Sequence, residues 1–331
     1  MIHNAFLPRY TGPCIALLVA SVGLGPPLTA ADPPDAIVIP TEFNQDRFFA
    51  VPSTPDGRTL RLIADTGGGM FLFSDSAERQ KLEVFGVSWD DYKGLACHLP
   101  AFADGKGIPS PGAKEGVIPV APAPVRLGLA SLTQDIDGIL GESWFADRVW
   151  TFDFAGKKIL FHPKGAPELP KSAVRVEMGL RKSTSPARPP SYPRIQVTIA
   201  GEKTDVLLST GCVVARTADA LKELGGVVAI RGASLISNST FDRWKKEHRD
   251  WRIVANAEEG SGEPMIEVPD VSLAGIPVGK VWFTQRPDSN FRDNFSQWMD
   301  RPVDGAIGPN ALRGLCITLD YPNRTAWFEK P

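Results

Sequence analysis

The chain carries the same ordered set of sequence landmarks twice, once before residue 165 and again after residue 172. In the first copy a turn at Gly57 precedes an apolar segment and then Asp-Thr-Gly at residues 65–67. In the second copy a turn at Gly201 precedes an apolar segment and then Ser-Thr-Gly at residues 209–211. The glycine lies eight residues before the Asp or Ser in both copies. Such a repeat predicts two units of one fold in a single chain.

Each copy continues with a second landmark, Asp-Gly followed by two apolar residues and another glycine, at residues 137–141 and 304–308. A short helix-like segment then leads into a strand that ends in Asp, twelve residues after the last glycine in both copies. The matched order and spacing predict a first lobe over residues 35–165 and a second lobe over residues 172–331. A segment rich in Pro, Lys and Ser separates them, and both lobes have an ordinary domain size.

The composition favours short strands and turns over long helices. The 331 residues include 31 Gly and 30 Pro, which interrupt helices and mark turns. The apolar fraction of 43% is sufficient for a hydrophobic core. The formal net charge of −2 and the absence of long runs of like charge give no indication of nucleic acid or an anionic membrane surface as a partner.

The N-terminal segment has the pattern of a secretory signal peptide. Arg9 precedes an apolar run over residues 14–24, and small residues follow just before the acidic, Pro-rich stretch. We therefore expect residues 1–31 to be removed, with cleavage near Ala30 or Ala31, and the mature chain to be secreted or periplasmic without membrane attachment. The alternative is a short membrane anchor, but the run is far shorter than the roughly 20 apolar residues that a spanning helix needs.

The first turn and its glycine landmark resemble the pepsin and retropepsin superfamily of aspartic peptidases. The matching residues are apolar-apolar-Asp-Thr-Gly at 63–67 and apolar-apolar-Gly at 139–141, repeated in the second half as in the duplicated members. The resemblance implies an all-β, bilobal pepsin-like fold in which two homologous β-barrel lobes enclose a cleft. It also implies that Thr66 and Thr210 hydrogen-bond across the lobe junction. A hairpin flap, expected within residues 86–112, would cover the bound peptide.

The resemblance makes Asp65 a catalytic carboxylate and places Ser209 where the family has its second Asp. Peptide hydrolysis on this fold needs two carboxylates that share one proton, because one accepts a proton from water while the other donates one to the peptide carbonyl. A serine hydroxyl is not an anion at neutral pH and cannot accept that proton. We therefore expect an aspartic-peptidase-like protein that acts on or binds peptides, with impaired hydrolysis. The alternative is a non-catalytic module that binds a peptide or protein in the same cleft.

The remaining site residues implied by the resemblance support the two turns. They are the turn residues and the last glycines of the second landmark: Thr66, Gly67, Thr210, Gly211, Gly141 and Gly308. Asp65 also has a plainer interpretation, as a hydrogen-bonded turn residue retained in a binding protein. We expect a monomer, because the second lobe already occupies the position that a partner subunit takes in retropepsins.

Other kinds of site find less support in the sequence. A serine hydrolase built on Ser209 would need a nucleophile elbow and a histidine base, and no Gly-x-Ser-x-Gly surrounds this serine. Cys97 and His98 are an adjacent pair with no partner motif for a metal. No metal or cofactor is therefore expected. Cys212 and Cys316 could form a disulfide, and the sequence leaves this pairing open.

Overall fold

The structure is a computed structural model that describes residues 35–331 apart from residues 90–91, 112–115, 124–134, 183–190 and 227. The predicted signal segment, residues 1–31, lies outside the described residues. Within the described ranges, none of the helices has the length and apolar character needed to cross a membrane.

Short strands dominate the described residues, as the abundance of turn formers predicts. The strands up to the end of the first copy are β1 (Ile37–Val38), β2 (Thr41–Asn44), β3 (Arg47–Ala50), β4 (Leu62–Ala64), β5 (Phe71–Phe73), β6 (Val84–Trp89), β7 (Tyr92–His98), β8 (Val117–Ala121), β9 (Gly138–Leu140), β10 (Val149–Asp153) and β11 (Lys158–His162). Those that follow are β12 (Val174–Glu177), β13 (Arg194–Ile199), β14 (Glu202–Leu208), β15 (Val213–Ala215), β16 (Ile230–Gly232), β17 (Ser234–Ser237), β18 (Ile253–Val254), β19 (Met265–Leu273), β20 (Ile276–Arg286), β21 (Gly305–Ile307), β22 (Cys316–Asp320) and β23 (Thr325–Glu329).

Helices are short and lie between the strands. They are α1 (Ser74–Arg79), α2 (Glu142–Phe145), α3 (Ala218–Leu224), α4 (Asn238–Glu247) and α5 (Pro309–Leu312), with a π-helical turn at Asn290–Phe295 and a 3₁₀ turn at Ser296–Trp298. The helix-like segments expected after the two glycine landmarks are α2 and α5, and the strands expected after them are β10 and β22.

In the described part of the first copy, eight strands form one sheet in the order β2-β3-β4-β9-β5-β8-β7-β6. The strand before the Asp-Thr-Gly turn, β4, pairs in parallel with β9 of the glycine landmark, so that Ile63 lies opposite Ile139. Strands β6 and β7 form an antiparallel hairpin that begins at Val84 and overlaps the segment 86–112, where the flap is expected. The tip of this hairpin, residues 90–91, lies outside the described residues.

The second copy repeats this arrangement. As far as the chain is described, its sheet has seven strands in the order β13-β14-β21-β17-β20-β19-β18. The strand before the Ser-Thr-Gly turn, β14, pairs in parallel with β21, so that Leu208 lies opposite Ile307. The landmark strands β9 and β21 each also pair antiparallel with the strand on their other side, β5 and β17 respectively. The repeat in the sequence is therefore a repeat in strand topology.

A third sheet is built from strands of both copies. Its order among the described strands is β1-β11-β10-β22-β23-β12. At its centre β10 and β22 run antiparallel, and Thr151 lies opposite Thr318 with their hydroxyl oxygens 2.8 Å apart. Thr151 lies two residues before Asp153, which ends β10, and Thr318 lies two residues before Asp320, which ends β22. A local twofold axis therefore passes between equivalent residues of the two copies.

Aromatic residues of α2 and β10 hold the first glycine landmark in place. Trp144, Phe145, Trp150 and Phe152 are fully buried in the hydrophobic core. The rings of Trp144 and Trp150 lie 4.2 Å apart, and Trp150 Nε1 donates a hydrogen bond to the carbonyl oxygen of Phe145 at 3.0 Å. Because large aromatic side chains contribute much of the free energy of core burial, this cluster fixes the segment between Gly141 and β10.

The hydrophobic core is continuous between the two copies. One cluster of buried side chains includes Phe152 from the first copy and Ile317 from the second. Contacts group Pro33–Pro331 into a single compact unit. The two similar strand arrangements confirm the predicted all-β, two-lobed fold class. The residue boundaries 35–165 and 172–331 for the lobes stay a prediction.

Candidate functional site

The two threonines of the turns hold the lobes together through reciprocal hydrogen bonds. Thr66 Oγ1 donates to the carbonyl oxygen of Leu208 at 2.7 Å and accepts from the backbone N–H of Thr210 at 3.2 Å. Thr210 Oγ1 donates to the carbonyl oxygen of Ala64 at 2.8 Å and accepts from the backbone N–H of Thr66 at 3.1 Å. Both side chains are fully buried. Because buried hydroxyls require partners, these four bonds fix the relative position of the turns.

Asp65 and Ser209 meet at the centre of this junction. The Asp65 Oδ1 atom accepts three hydrogen bonds, from Ser209 Oγ at 2.8 Å, from Gly67 N at 2.9 Å and from Gly211 N at 3.0 Å. The Ser209 hydroxyl oxygen itself accepts from the backbone N–H of Cys212 at 3.0 Å. One carboxylate oxygen therefore receives donors from both copies, and Asp65 Oδ2 takes part in none of these three bonds.

The third residue of each turn is glycine because the other turn approaches it closely. A Cβ atom on Gly67 would lie 2.8 Å from the Cβ atom of Ser209. A Cβ atom on Gly211 would overlap the side chain of Asp65. Cβ atoms in proteins essentially never come this close to another carbon atom. Gly67 therefore leaves space for the side chain of Ser209, and Gly211 leaves space for the side chain of Asp65.

The glycine landmarks lie directly behind the turns. A Cβ atom on Gly141 would overlap the backbone carbonyl oxygen of Gly68, immediately after the first turn. A Cβ atom on Gly308 would overlap the carbonyl oxygen of Ala233, just before β17, and would lie 3.3 Å from the Cβ atom of Cys212, immediately after the second turn. Both overlaps involve backbone atoms, which cannot move aside as the end of a side chain can. The structure therefore brings all six predicted support residues to the same junction.

Burial raises the pKa of the Asp65 carboxyl above its ordinary value. The hydrogen bonds from Ser209, Gly67 and Gly211 and the positive charge of Arg47 act in the opposite direction, because they favour the ionised form. The side chain still keeps part of its surface exposed. Asp65 therefore retains its proton to a higher pH than an ordinary aspartate while remaining accessible to a ligand.

This raised pKa predicts how the stability of an Asp65→Asn variant depends on pH. The folded chain binds the Asp65 proton more tightly than the unfolded chain, so the free energy of unfolding falls as pH rises from the ordinary pKa of about 3.9 toward the raised value. Asparagine cannot ionise, so the substitution removes this fall in the free energy of unfolding. Relative to the parent, the variant should gain stability between acid and neutral pH, by about 1.4 kcal/mol for each pH unit that separates the two pKa values.

Urea unfolding of parent and variant at roughly pH 3.5 and roughly pH 7 measures this difference. Asp242→Asn serves as the control, because Asp242 is an exposed carboxylate on α4. An Asp65→Asn variant that loses stability relative to the parent as the pH rises would show that the carboxylate is stabilised in the fold.

Sequence reasoning missed Arg47, which lies in β3 beside the site. Its side chain is 1% exposed, and its Nη2 atom donates to Gln45 Oε1 at 2.6 Å. Burial, followed by repulsion from Arg61, lowers the pKa of the Arg47 guanidinium to about 10, and the charge of Asp65 opposes this shift. No local sequence pattern marks Arg47, because the burial of every residue of the strand Arg47–Ala50 becomes evident only in the fold.

Tyr192, in the segment between the copies, was also missed. Burial raises the pKa of its hydroxyl to about 12, and the charges of Glu142 and Asp65 add to the effect. Its ring packs against Phe295 with the ring centroids 5.7 Å apart. The Tyr192 hydroxyl is therefore neutral across the physiological range and is electrostatically coupled to Asp65.

The other residues singled out in the sequence lie away from the junction or remain unpaired. Cys97 lies in β7 and Cys316 in β22, and together with Cys212 they are free thiols. The Cys212–Cys316 disulfide that the sequence left open is therefore not formed. In the ranges given above for the structure, no three His, Cys, Asp or Glu side chains are grouped as metal ligands.

No family model matches the chain, and no curated protein matches it either. Among solved structures it is similar to one described as edgp, with 12% identity, a TM-score of 0.43, and coverage of 91% of this chain and 96% of that one. Conglutin gamma, a basic 7S globulin from lupine seeds, has 12% identity, a TM-score of 0.47 and coverage of 90% and 95%. Basic 7S globulin from soybean has 9% identity, a TM-score of 0.42 and coverage of 90% and 95%.

The fold is pepsin-like. The paired strand topology, the facing turns and the reciprocal threonine contacts, all within this chain, carry that assignment. The activity of the site depends on its own chemistry, because one fold can support many functions.

Proposed function

We propose that the chain binds a peptide or an extended protein segment in the cleft between its lobes and hydrolyses it poorly or not at all. The observation that carries this proposal is the hydrogen bond from Ser209 Oγ to Asp65 Oδ1. It puts a hydroxyl at the position where hydrolysis on this fold requires a second carboxylate.

The hydroxyl of Ser209 cannot replace that carboxylate. Its proton is directed toward Asp65, and its oxygen accepts a hydrogen bond from Cys212 N. The paired-carboxylate mechanism needs a group that takes a proton from the attacking water while its partner protonates the peptide carbonyl. Removing such an acid or base typically lowers the rate about 10²- to 10⁴-fold.

The cleft nevertheless keeps the features of a preorganised binding site. The threonine contacts and the glycine landmarks fix the turns before a ligand binds, so that binding requires little further loss of conformational entropy in the turns. We place the flap in the β6–β7 hairpin, where an extended peptide can present its backbone groups to strand edges. Leu95 in β7 leaves about half of its surface exposed, which offers apolar contact to such a peptide.

A weakly active aspartic peptidase is the second candidate, because burial raises the pKa of Asp65 and this carboxyl holds its proton to a higher pH than an ordinary aspartate does. A single carboxyl of this kind can serve as general acid or base with low efficiency.

We also propose that the chain acts after export, as a secreted or periplasmic monomer, and that its partner is a peptide or protein rather than a nucleic acid.

A peptide library tests the two candidates directly. We expect saturable binding of extended peptides by the chain lacking residues 1–31, measured by tryptophan fluorescence, and little or no cleavage from acid to neutral pH. Binding should survive Asp65→Asn, which keeps a hydrogen-bond acceptor at the junction. Rapid cleavage that Asp65→Asn abolishes would favour the peptidase, whereas absence of binding to any peptide would reject both candidates.

A further inference from the structure

A cavity of about 230 Å³ lies beside the site, and two guanidinium groups line it. They belong to Arg47 in β3 and Arg61 just before β4, and the lining also includes Asn44 and Gln45 from the β2–β3 hairpin. Ile230 of the second copy also lines the cavity. Arg47 connects the cavity to the site, because its positive charge opposes the rise in the pKa of Asp65.

Arg47 brings a buried positive charge with incomplete hydrogen bonding into this cavity. Its Nε and Nη1 atoms are buried and have no hydrogen-bond partner among the described residues. Among the described residues, the one hydrogen bond given for its side chain goes to the neutral side chain of Gln45. A buried charge normally has an opposite charge beside it, because desolvation without a partner is costly.

Arg61 adds a second positive charge on the same side of the cavity. Its guanidinium stacks on the ring of Phe49 at 3.7 Å, and Arg47 lies over the same ring at 5.1 Å. Arg61 forms an ion pair with Glu42 at 2.9 Å, and Glu42 is largely exposed. Two guanidinium groups near one ring repel each other, and an anion between them would remove that repulsion.

The acidic groups nearby are already engaged or face solvent. Asp46, next to Arg47, forms ion pairs with Arg231 at 3.1 Å and with Arg313 at 2.7 Å. Arg216 is buried close to these arginines, which help to lower its pKa. Asp135, the acidic residue described in the cavity lining, is exposed, and its described contact with Arg61 is through its backbone carbonyl. In the described cavity lining two positive charges, Arg47 and Arg61, therefore face one negative charge, while Asp65 lies near Arg47 outside that lining.

We propose that this cavity is a binding site for an oxyanion, a carboxylate or phosphate group, held by Arg47 and Arg61. The planar guanidinium presents parallel N–H donors that match the two oxygens of a carboxylate or phosphate. One source of the oxyanion is an acidic group on the peptide bound in the cleft, and this alternative rests on the proposed function. The other source is a free small anion, and this alternative is independent of the proposed function.

Phosphate titration of the chain lacking residues 1–31, at constant ionic strength in chloride, tests the site without any peptide. The thermal unfolding temperature should rise with the logarithm of the phosphate concentration once this exceeds the dissociation constant, as binding to the native state alone requires. Arg47→Met should weaken the apparent phosphate affinity at least about tenfold. Arg243→Met is the matched control, because Arg243 is exposed in α4 and pairs with Glu202 at 2.9 Å; it should respond like the parent.

If Arg47→Met does not fold, Arg61→Met provides the same test at a more accessible side chain of the cavity. A parent whose unfolding temperature does not change with phosphate, or a cavity variant that responds like the parent, would overturn the proposal.

A second experiment compares the binding of peptides that differ only by Asp or Asn at one position. The parent should prefer the Asp peptide, and Arg47→Met should lose this preference. Phosphate binding without peptide binding would leave the anion site standing and reject the proposed function.

Discussion

Ser209→Asp is expected to raise the rate of peptide cleavage at least about 10²-fold over the parent, with an optimum in acid. The substitution restores the missing carboxylate at a junction whose other parts are in place. Gly67 N and its repeat equivalent Gly211 N both donate to the Asp65 carboxylate, so each turn already supplies a backbone donor to the site. The pH–rate profile should be bell-shaped, because activity requires one protonated and one ionised carboxyl group.

The stability of Ser209→Asp should fall relative to the parent as the pH rises. Two carboxylates at this distance raise each other's pKa, so the folded chain holds a proton that the unfolded chain has released. The variant should therefore be nearly as stable as the parent in acid and less stable near neutral pH.

Ser209→Asn is the matched control, because it has the size of Asp but cannot ionise, and the double variant Asp65→Asn/Ser209→Asp tests the need for both carboxylates. A Ser209→Asp chain that folds but cleaves no faster than Ser209→Asn would mean that the cleft lacks more than one carboxylate.

Gly308→Ala is expected to destabilise the fold by about 3 kcal/mol or more, which is large for a single methyl group. The added Cβ atom would overlap the carbonyl oxygen of Ala233, and the backbone N–H of Gly308 donates to Ser234 Oγ at 3.0 Å on the same strand. Relieving this overlap requires β21 and β17 to separate. If Ile307 moves with β21, the backbone N–H of Ser209 loses its hydrogen bond to the carbonyl oxygen of Ile307.

Gly226→Ala is the control for Gly308→Ala, because a Cβ atom there has no neighbour within 4 Å and its φ is not in the left-handed region. Its effect on the free energy of unfolding should stay within about 1 kcal/mol. Urea unfolding measures both variants. A Gly308→Ala chain as stable as Gly226→Ala would mean that the glycine landmark can shift away from the turn without cost.

The sequence predicted the repeated part of the fold because its determinants are local. Strand β4, the turn after it and the β9 landmark follow from short patterns that recur with the same spacing in β14 and β21. The meeting of Asp65 and Ser209 followed from the resemblance together with the repeat. Short spacings specify secondary structure and its pairing well when one half of the chain confirms the other.

The electrostatic surroundings of the site could not be predicted in the same way. Arg47 is separated from Asp65 by a long connection, and its burial depends on packing against Phe49 and on the approach of the second copy. Tyr192 lies in a segment that the Pro-rich composition marks as a linker. Contacts of this kind arise from the tertiary fold, and no local pattern records them.

The pairing of β10 with β22 has the register that β10 would adopt with a second copy of itself, because equivalent threonines, Thr151 and Thr318, face each other on the axis. A first copy expressed alone would therefore present a β10 edge whose register suits a second copy of itself, as an isologous dimer requires. In a dimer of identical halves every substitution appears on both sides of the axis. Covalent tandem duplication removes this constraint, so that the joined chain places a carboxylate, Asp65, opposite a hydroxyl, Ser209.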